Sequence, residues 1–197
     1  MDDQLDRRTK RTRQALQSAL VALILEKGYD SVTVIDVAQR ADYNRGTFYN
    51  HYLGKEELLS EIREDFLKGF EKALLAPYKG MQKVQATQTY PSILQLFEHV
   101  EGHKDVFQAL IAVDKGLVYE MNSVMRESMR RDMHIEMEKT EPPIDYEIML
   151  SYQMSATVGV IMYWAETNFK YSASYMAEQL IALVRARIDH ITFKRQP

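Results

Sequence analysis

The sequence predicts an all-α protein of about nine helices, on three observations. Apolar residues recur at spacings of three and four along the 197 residues, and no stretch alternates as a strand would. Only eight Gly and five Pro punctuate that length, which favours long helices over many turns. Helix-start residues stand just ahead of the apolar stripes, as at Thr33, Asn44 and Ser92.

A first helix is expected to start between Leu5 and Thr9. Leu16, Leu20, Leu23 and Ile24 form its stripe, and Gly28 ends it as a C-cap. Thr33 and Asp36 make a Thr-x-x-acid capping signal for a short second helix, with Val34, Val37, Ala38 and Ala41 on one face. The turn Asp42, Tyr43, Asn44 follows, and Asn44 can cap a third helix carrying Arg45 to His51. Lys55 opens a long fourth helix with Leu58, Leu59, Ile62, Phe66, Phe70 and Leu74 on its buried side and Pro77 near its end. Lys79 to Tyr90 is polar and without period, so it reads as a loop or fraying helix.

Ser92 is placed to cap a fifth helix that buries Ile93, Leu96, Phe97 and Val100 and ends at Gly102. A short sixth helix runs from Lys104 to about Val113, with Val106, Phe107, Leu110 and Ile111 inward. The seventh runs from Leu117 to about Glu138 and carries Met at 121, 125, 129, 133 and 137. Pro142 and Pro143 break the chain. Ile144 to about Phe169 is apolar nearly all round, which means burial on more than one side. Ser172 or Ser174 caps a final helix running to about Phe193.

Composition narrows the function classes. There is no Cys, which excludes a disulfide scaffold, a Cys-type zinc finger and a thiol nucleophile. The longest apolar runs, such as Val21 to Leu25, fall far short of a membrane span, and no basic-then-apolar leader opens the chain; a cytoplasmic protein is expected. The formal net charge of −3 conceals an asymmetry. Arg7 to Lys55 holds nine Lys or Arg against four acidic residues, whereas from Glu56 onward sixteen basic residues face twenty-one acidic ones. A basic head on an acidic body suits a protein that docks one end on phosphates.

The stretch Thr33 to Leu59 carries the chemistry. Two short helices joined by a tight turn place Arg45, Thr47, Tyr49, Asn50 and His51 on one turn and a half, as a helix that reads a DNA major groove requires. This stretch resembles the DNA-binding domain of the TetR family of transcriptional regulators. The residues that carry the resemblance are Gly28-Tyr29, Thr33-Val34, Asp36-Val37-Ala38, Ala41, Gly46-Thr47-Phe48-Tyr49, Tyr52 and Lys55-Glu56-Glu57-Leu58-Leu59. It runs from about Arg11 to about Leu67, roughly a third of the chain. The turn departs from the family pattern of a small apolar residue followed by Ser or Thr, having Tyr43-Asn44 instead.

The resemblance implies a three-helix DNA-binding domain with a helix-turn-helix over residues 1–54. It implies a helical ligand-binding and dimerisation domain over 55–197, with the helix 55–78 linking the two. Arg45, Thr47, Asn50 and Tyr43 are expected at bases or flanking phosphates, and Tyr49 and His51 at phosphate or sugar. Lys55 and Thr33 lie at helix N-termini, where N–H groups favour a phosphate. Asn44 and Arg11 complete the DNA-binding set. Phe48 and Tyr52 are expected to fix the helix from the core.

Three or four base contacts cannot pick out an operator, so two units on a palindromic site, and hence a homodimer, are required. Val158, Ile161 and Met162 on the eighth helix and Leu180, Val184 and Ile188 on the ninth are the expected interface. Phe97, Phe107, Ile111, Met121, Met125, Tyr152 and Tyr163 are the expected lining of a pocket for an apolar or aromatic inducer. His99 and His103 lack an evident third ligand for a metal. No phosphate loop, nucleophile elbow or HExxH stands in the sequence, so neither cofactor nor catalytic residue is expected. The expected function is a ligand-responsive repressor. The competing reading is a coactivator or scaffold whose C-terminal domain binds another protein.

Overall fold

The computed structural model describes residues 2–81, 90–132 and 141–185, with side chains described from Arg7, Pro91 and Glu141 onward in each stretch and as far as Leu183. Among these residues are nine α-helices and two short 3-10 turns. α1 spans Asp2–Lys27, η1 Tyr29–Ser31, α2 Val34–Arg40, α3 Arg45–Tyr49, α4 Lys55–Leu75, η2 Ala76–Tyr78, α5 Tyr90–Gly102, α6 Lys104–Val113, α7 Leu117–Asp132, α8 Tyr146–Glu166 and α9 Ala173–Arg185.

The helix α1 begins earlier than the apolar stripe requires. It starts at Asp2. At its other end Gly28 has φ 77, a left-handed conformation that an L side chain adopts only at a cost, and its N–H closes on the Ile24 carbonyl at 2.9 Å. α1 packs on α2, α4 and α6; α4 packs on α5, α6 and α7; α5 lies on α9, and α7 on α8. One hydrophobic cluster is continuous through all of these, from Leu16 and Leu20 through Leu58, Ile62 and Phe66 to Phe107, Val158 and Leu180. Phe66 is its aromatic hinge, stacked on Phe70 at 6.4 Å and on Phe107 at 5.6 Å.

Polar contacts tie α4 to its neighbours along its length. Arg13 of α1 pairs with Glu61. Arg63 donates to Asp114 at 3.2 Å and to Glu120 at 2.9 Å, joining α4 to the turn between α6 and α7 and to the start of α7. Arg131 and Ser128 of α7 hold Glu71. His99 of α5 bonds the Phe66 carbonyl at 3.0 Å and lies directly over Gly69, where a side chain would meet the imidazole.

Several expectations are corrected. Ser92 does not cap α5, which starts at Tyr90; its buried hydroxyl donates to the Leu74 carbonyl at 2.6 Å and so satisfies the end of α4. Val158 and Ile161 are 0% exposed and Leu180 is buried, so they complete the core of this chain and cannot form a free dimer face. Met162 is half-buried against the same core, the side chain of Val184 is not described, and Ile188 lies outside the described residues. Tyr152 and Tyr163 are 70% and 55% exposed on the outer face of α8, so they do not line a pocket with Phe97 and Phe107. Phe97 instead packs edge-on to Trp164 at 5.4 Å, Met121 and Met125 are buried in the core, and Ile111 is half-buried against it. Met133, Met137, most of the polar stretch before Tyr90 and the end of the last helix lie outside the described residues.

The corner between α8 and α9 is strained. Asn168 and Phe169 both have positive φ, 55° and 53°, at a typical cost of about 1–2 kcal/mol per non-Gly residue. The Phe169 N–H closes on the Trp164 carbonyl, the Trp164 indole donates to the Tyr171 carbonyl, both at 2.9 Å, and the two rings meet edge-on at 5.0 Å. This set of contacts offsets the backbone cost.

Candidate nucleic-acid interface

The short helix α2 is held by a complete capping box. The Thr33 hydroxyl accepts the Asp36 N–H at 3.2 Å and donates to the Asp36 carboxylate at 2.7 Å, which also accepts the Thr33 N–H at 2.8 Å. The Thr33 hydroxyl bond, followed by Lys27 at 2.9 Å, holds the Asp36 carboxyl down at about 2. Thr33 is therefore occupied with capping; the first-turn N–H groups of Val34 and Ile35 are the ones left to face a phosphate.

The turn into α3 has Asp42 at φ 60, a left-handed position. The Tyr43 N–H then closes on the Ala38 carbonyl at 2.8 Å. The half-buried Tyr43 ring reaches α1, its hydroxyl 3.4 Å from that of Thr12, which itself donates to the Arg8 carbonyl at 3.0 Å. Tyr43 thus anchors the turn to α1. Asn44 caps α3, its side-chain oxygen accepting the Thr47 N–H at 2.8 Å and the Thr47 hydroxyl at 3.2 Å. That leaves Thr47 its methyl group for a base, and Asn44 its amide N–H₂.

Arg45, Tyr49 and Asn50 are exposed, as is Arg11 on α1; His51 is half-buried beyond the end of α3. Phe48 and Tyr52 are 0% and 2% exposed and contact each other at 5.7 Å, so they fix the helix from beneath. The exposed set forms a short row of donors, acceptors and one phenol, suited to a groove and its flanking phosphates.

Lys55 sits otherwise than its place at a helix start suggests. Its ammonium donates to the carbonyls of Tyr29 at 2.9 Å and Val32 at 2.8 Å and lies 4.2 Å from the Tyr29 ring centroid. Two of its three donors pin η1 and Val32, the residue that follows it, to α4. Burial, then the Glu56 carboxylate, pushes the Tyr29 phenol up to about 12.

Sequence reasoning missed the polar bracket beneath the reading helix. The Arg13 guanidinium lies 5.1 Å from the Tyr52 ring centroid and pairs with Glu61, which also accepts Gln17 at 3.0 Å. The Glu61 bond raises the Arg13 guanidinium, and burial followed by Glu61 raises the Tyr52 phenol. Arg13 and Gln17 lie 48 and 44 residues from Glu61 in sequence, and only a Tyr where the helix needs an apolar ring hinted at them.

Among the described residues no group of three or more His, Asp or Glu is placed to hold a metal. One ring nitrogen each of His99 and His103 is engaged by a backbone carbonyl, those of Phe66 and His99. None of the described helices is long and apolar enough to cross a membrane.

Comparison with known proteins agrees with this geometry. The family model for the bacterial regulatory proteins of the tetR family matches residues 16–62, and that for a transcriptional regulator C-terminal region matches residues 87–186, about half of the chain. The chain is 20% identical over 169 residues to the uncharacterised HTH-type transcriptional regulator YxbF of Bacillus subtilis, covering 86% of this chain and 43% of that protein; it thus spans less than half of that relative. It is 26% identical over 187 residues to the HTH-type transcriptional repressor KstR2 of Mycobacterium tuberculosis, covering 87% and 90%. A putative TetR-family regulator from Syntrophomonas wolfei shares the fold, with a TM-score of 0.65 at 14% identity over 89% of this chain and 94% of that one. A capped helix-turn-helix that presents Arg45, Tyr49 and Asn50, set on a helical body matched over residues 87–186, places this chain in the TetR family of transcriptional regulators.

Proposed function

We propose that this protein binds a palindromic DNA operator as a homodimer and represses transcription until a small apolar or aromatic molecule binds its body. The observation that carries this reading is the exposed row Arg45, Tyr49, Asn50 on a helix fixed by Phe48, beside the capped start of α2. The assignment of residues 1–54 to DNA and 55–197 to regulation and pairing is part of the proposal. The repressor named KstR2 supports the sign of the regulation.

The dimer face is reassigned to residues that this chain leaves uncovered. Ile148, Tyr152 and Tyr163 on α8 and Tyr175 and Leu183 on α9 are exposed, and an open groove on α8 is lined by Ile148, Ser151, Tyr152, Ser155 and Ala156. Gly159, exposed on the same face, allows close approach of a second α8. For the ligand, Phe97, Phe107, Met121 and Met125 fill the core between α5 and α8. A ligand there selects a conformation in which that core opens and α4 moves with it. Arg63 and Glu71 on α4 would carry the shift to the head.

A second reading is a coactivator or scaffold whose body binds another protein. The packed core and the open groove favour it. Selection of bound duplexes from a random DNA pool, with and without a panel of apolar and aromatic small molecules, tests both. A palindromic operator released by one of the molecules supports the first reading. An operator whose binding no molecule changes favours the second, and failure to select any duplex overturns DNA binding altogether.

A further inference from the structure

The reading helix contains its own support for the residue best suited to a base. Arg45 and Tyr49 stand one turn apart on α3, both exposed. The Arg45 guanidinium carbon lies 5.2 Å from the Tyr49 ring centroid, and its Nη2–H donates to the Tyr49 hydroxyl at 3.3 Å. The Tyr49 ring in turn meets the fully buried Phe48 edge-on, at 5.6 Å and 84°. A line of contacts therefore runs from the core to the guanidinium.

The choice of partner matters. Arg13, Arg40, Arg63, Arg130 and Arg131 each hold a carboxylate, whereas Arg45 holds none among the described residues. A carboxylate would neutralise the guanidinium and occupy its fork. The Tyr hydroxyl takes one N–H of five and leaves the charge whole. The remaining donors can meet the N7 and O6 acceptors of guanine as a fork, the commonest specific contact in the major groove. A planar cation already held over a ring by a hydrogen bond also has less freedom to lose when it binds.

We propose that Tyr49 is a positioning residue for Arg45, and that the pair sets a guanine preference at one base pair of each half-site. This rests on the DNA-binding reading above and refines it. A Tyr that only bonded phosphate would contribute equally to every sequence.

The test uses the operator that the wild-type protein selects from a random duplex pool, and versions of it with each guanine replaced. Binding is measured for wild type, Tyr49→Phe, Arg45→Ala and the double variant, with far-UV circular dichroism confirming that each is folded. Tyr49→Phe keeps the ring against Phe48 and removes only the hydroxyl. The proposal expects Arg45→Ala to erase preference at one symmetric guanine. It expects Tyr49→Phe to reduce that preference by roughly three- to ten-fold, the scale of one organising hydrogen bond. Binding to the guanine-replaced operator stays unchanged, and Tyr49→Phe has no effect in the Arg45→Ala background. A Tyr49→Phe variant that weakens all operators alike, in both backgrounds, overturns the proposal and makes Tyr49 a phosphate contact. A guanine preference that survives Arg45→Ala also overturns it while DNA binding stands. Selection of no duplex by wild type overturns the DNA-binding reading and this proposal with it.

Discussion

Replacing Gly69 by Ala should destabilise the protein, although the same change in an ordinary helix interior stabilises it. Ala is favoured over Gly in a helix by about 1 kcal/mol. At this position the new Cβ would run into Cε1 of His99 and stand 3.1 Å and 3.2 Å from its two ring nitrogens. The imidazole has little room to retreat, being held at the Phe66 carbonyl and flanked by Phe66 at 5.0 Å, Phe70 at 6.3 Å and His103 at 4.5 Å. Overpacking of this kind costs about 1–3 kcal/mol, and loss of the hydrogen bond adds about 1 kcal/mol. The net expectation is a loss of about 1–3 kcal/mol after the propensity gain is subtracted. Urea unfolding followed by circular dichroism, at one fixed protein concentration, measures it. In a His99→Ala background the obstacle is gone, and Gly69→Ala should then stabilise by up to about 1 kcal/mol. Stabilisation in both backgrounds, or simple additivity, would show that the close approach of α4 and α5 is not what keeps Gly69 small.

Other outcomes follow from the same structure. Burial, reinforced by His103, lowers the His99 imidazole below its usual value of 6.5, so the folded state takes up this proton less readily than the unfolded chain. The stability it contributes is full above about pH 6.5 and is lost as pH falls through the depressed folded value; His99→Phe should flatten that acid limb in pH-dependent urea titrations. Asp42→Gly should raise stability by about 0.5–1 kcal/mol, since φ 60 costs Asp and not Gly, and a thermal melt would show it. Ile161→Asp should unfold the chain because it buries an unpaired charge, whereas Tyr152→Asp should leave a folded monomer; sedimentation with circular dichroism separates the two, and a folded Ile161→Asp monomer would restore the original interface assignment. Lys55→Met should lower stability without changing the salt slope of operator binding; a reduced slope would show that its third donor reaches a phosphate.

Local signals were legible where the chain satisfies itself. Thr33 with Asp36, and Asn44 with Thr47, are read from spacing because both partners lie within one turn. The core positions Val37, Phe48 and Leu58 follow from helical period for the same reason. On α8 the period fails, because apolar residues surround the whole helix. Val158, Ile161 and Trp164 are then indistinguishable by type from Ile148, Tyr152 and Tyr163, and only packing against other parts of the chain, α7 and, for Trp164, Phe97 of α5, separates the inner set from the outer. Lys55 and Glu61 illustrate a different limit. Their partners, Val32 and Arg13, are brought near by the return of α4 along α1, a relation that no local window contains.

The unbroken core between α1 and α4 has a consequence for anyone who would re-engineer this protein. Leu16 and Leu20 share their burial with Leu58 and Ile62, and Arg13 finds its counter-charge on Glu61. A head cut at Gly54 would leave those leucines facing water and that arginine bare. Chimaeras that exchange reading heads between relatives should therefore carry the first three turns of α4 with the transplant, and place the seam beyond Asp65, the last α4 residue seen to hold a side chain of α1.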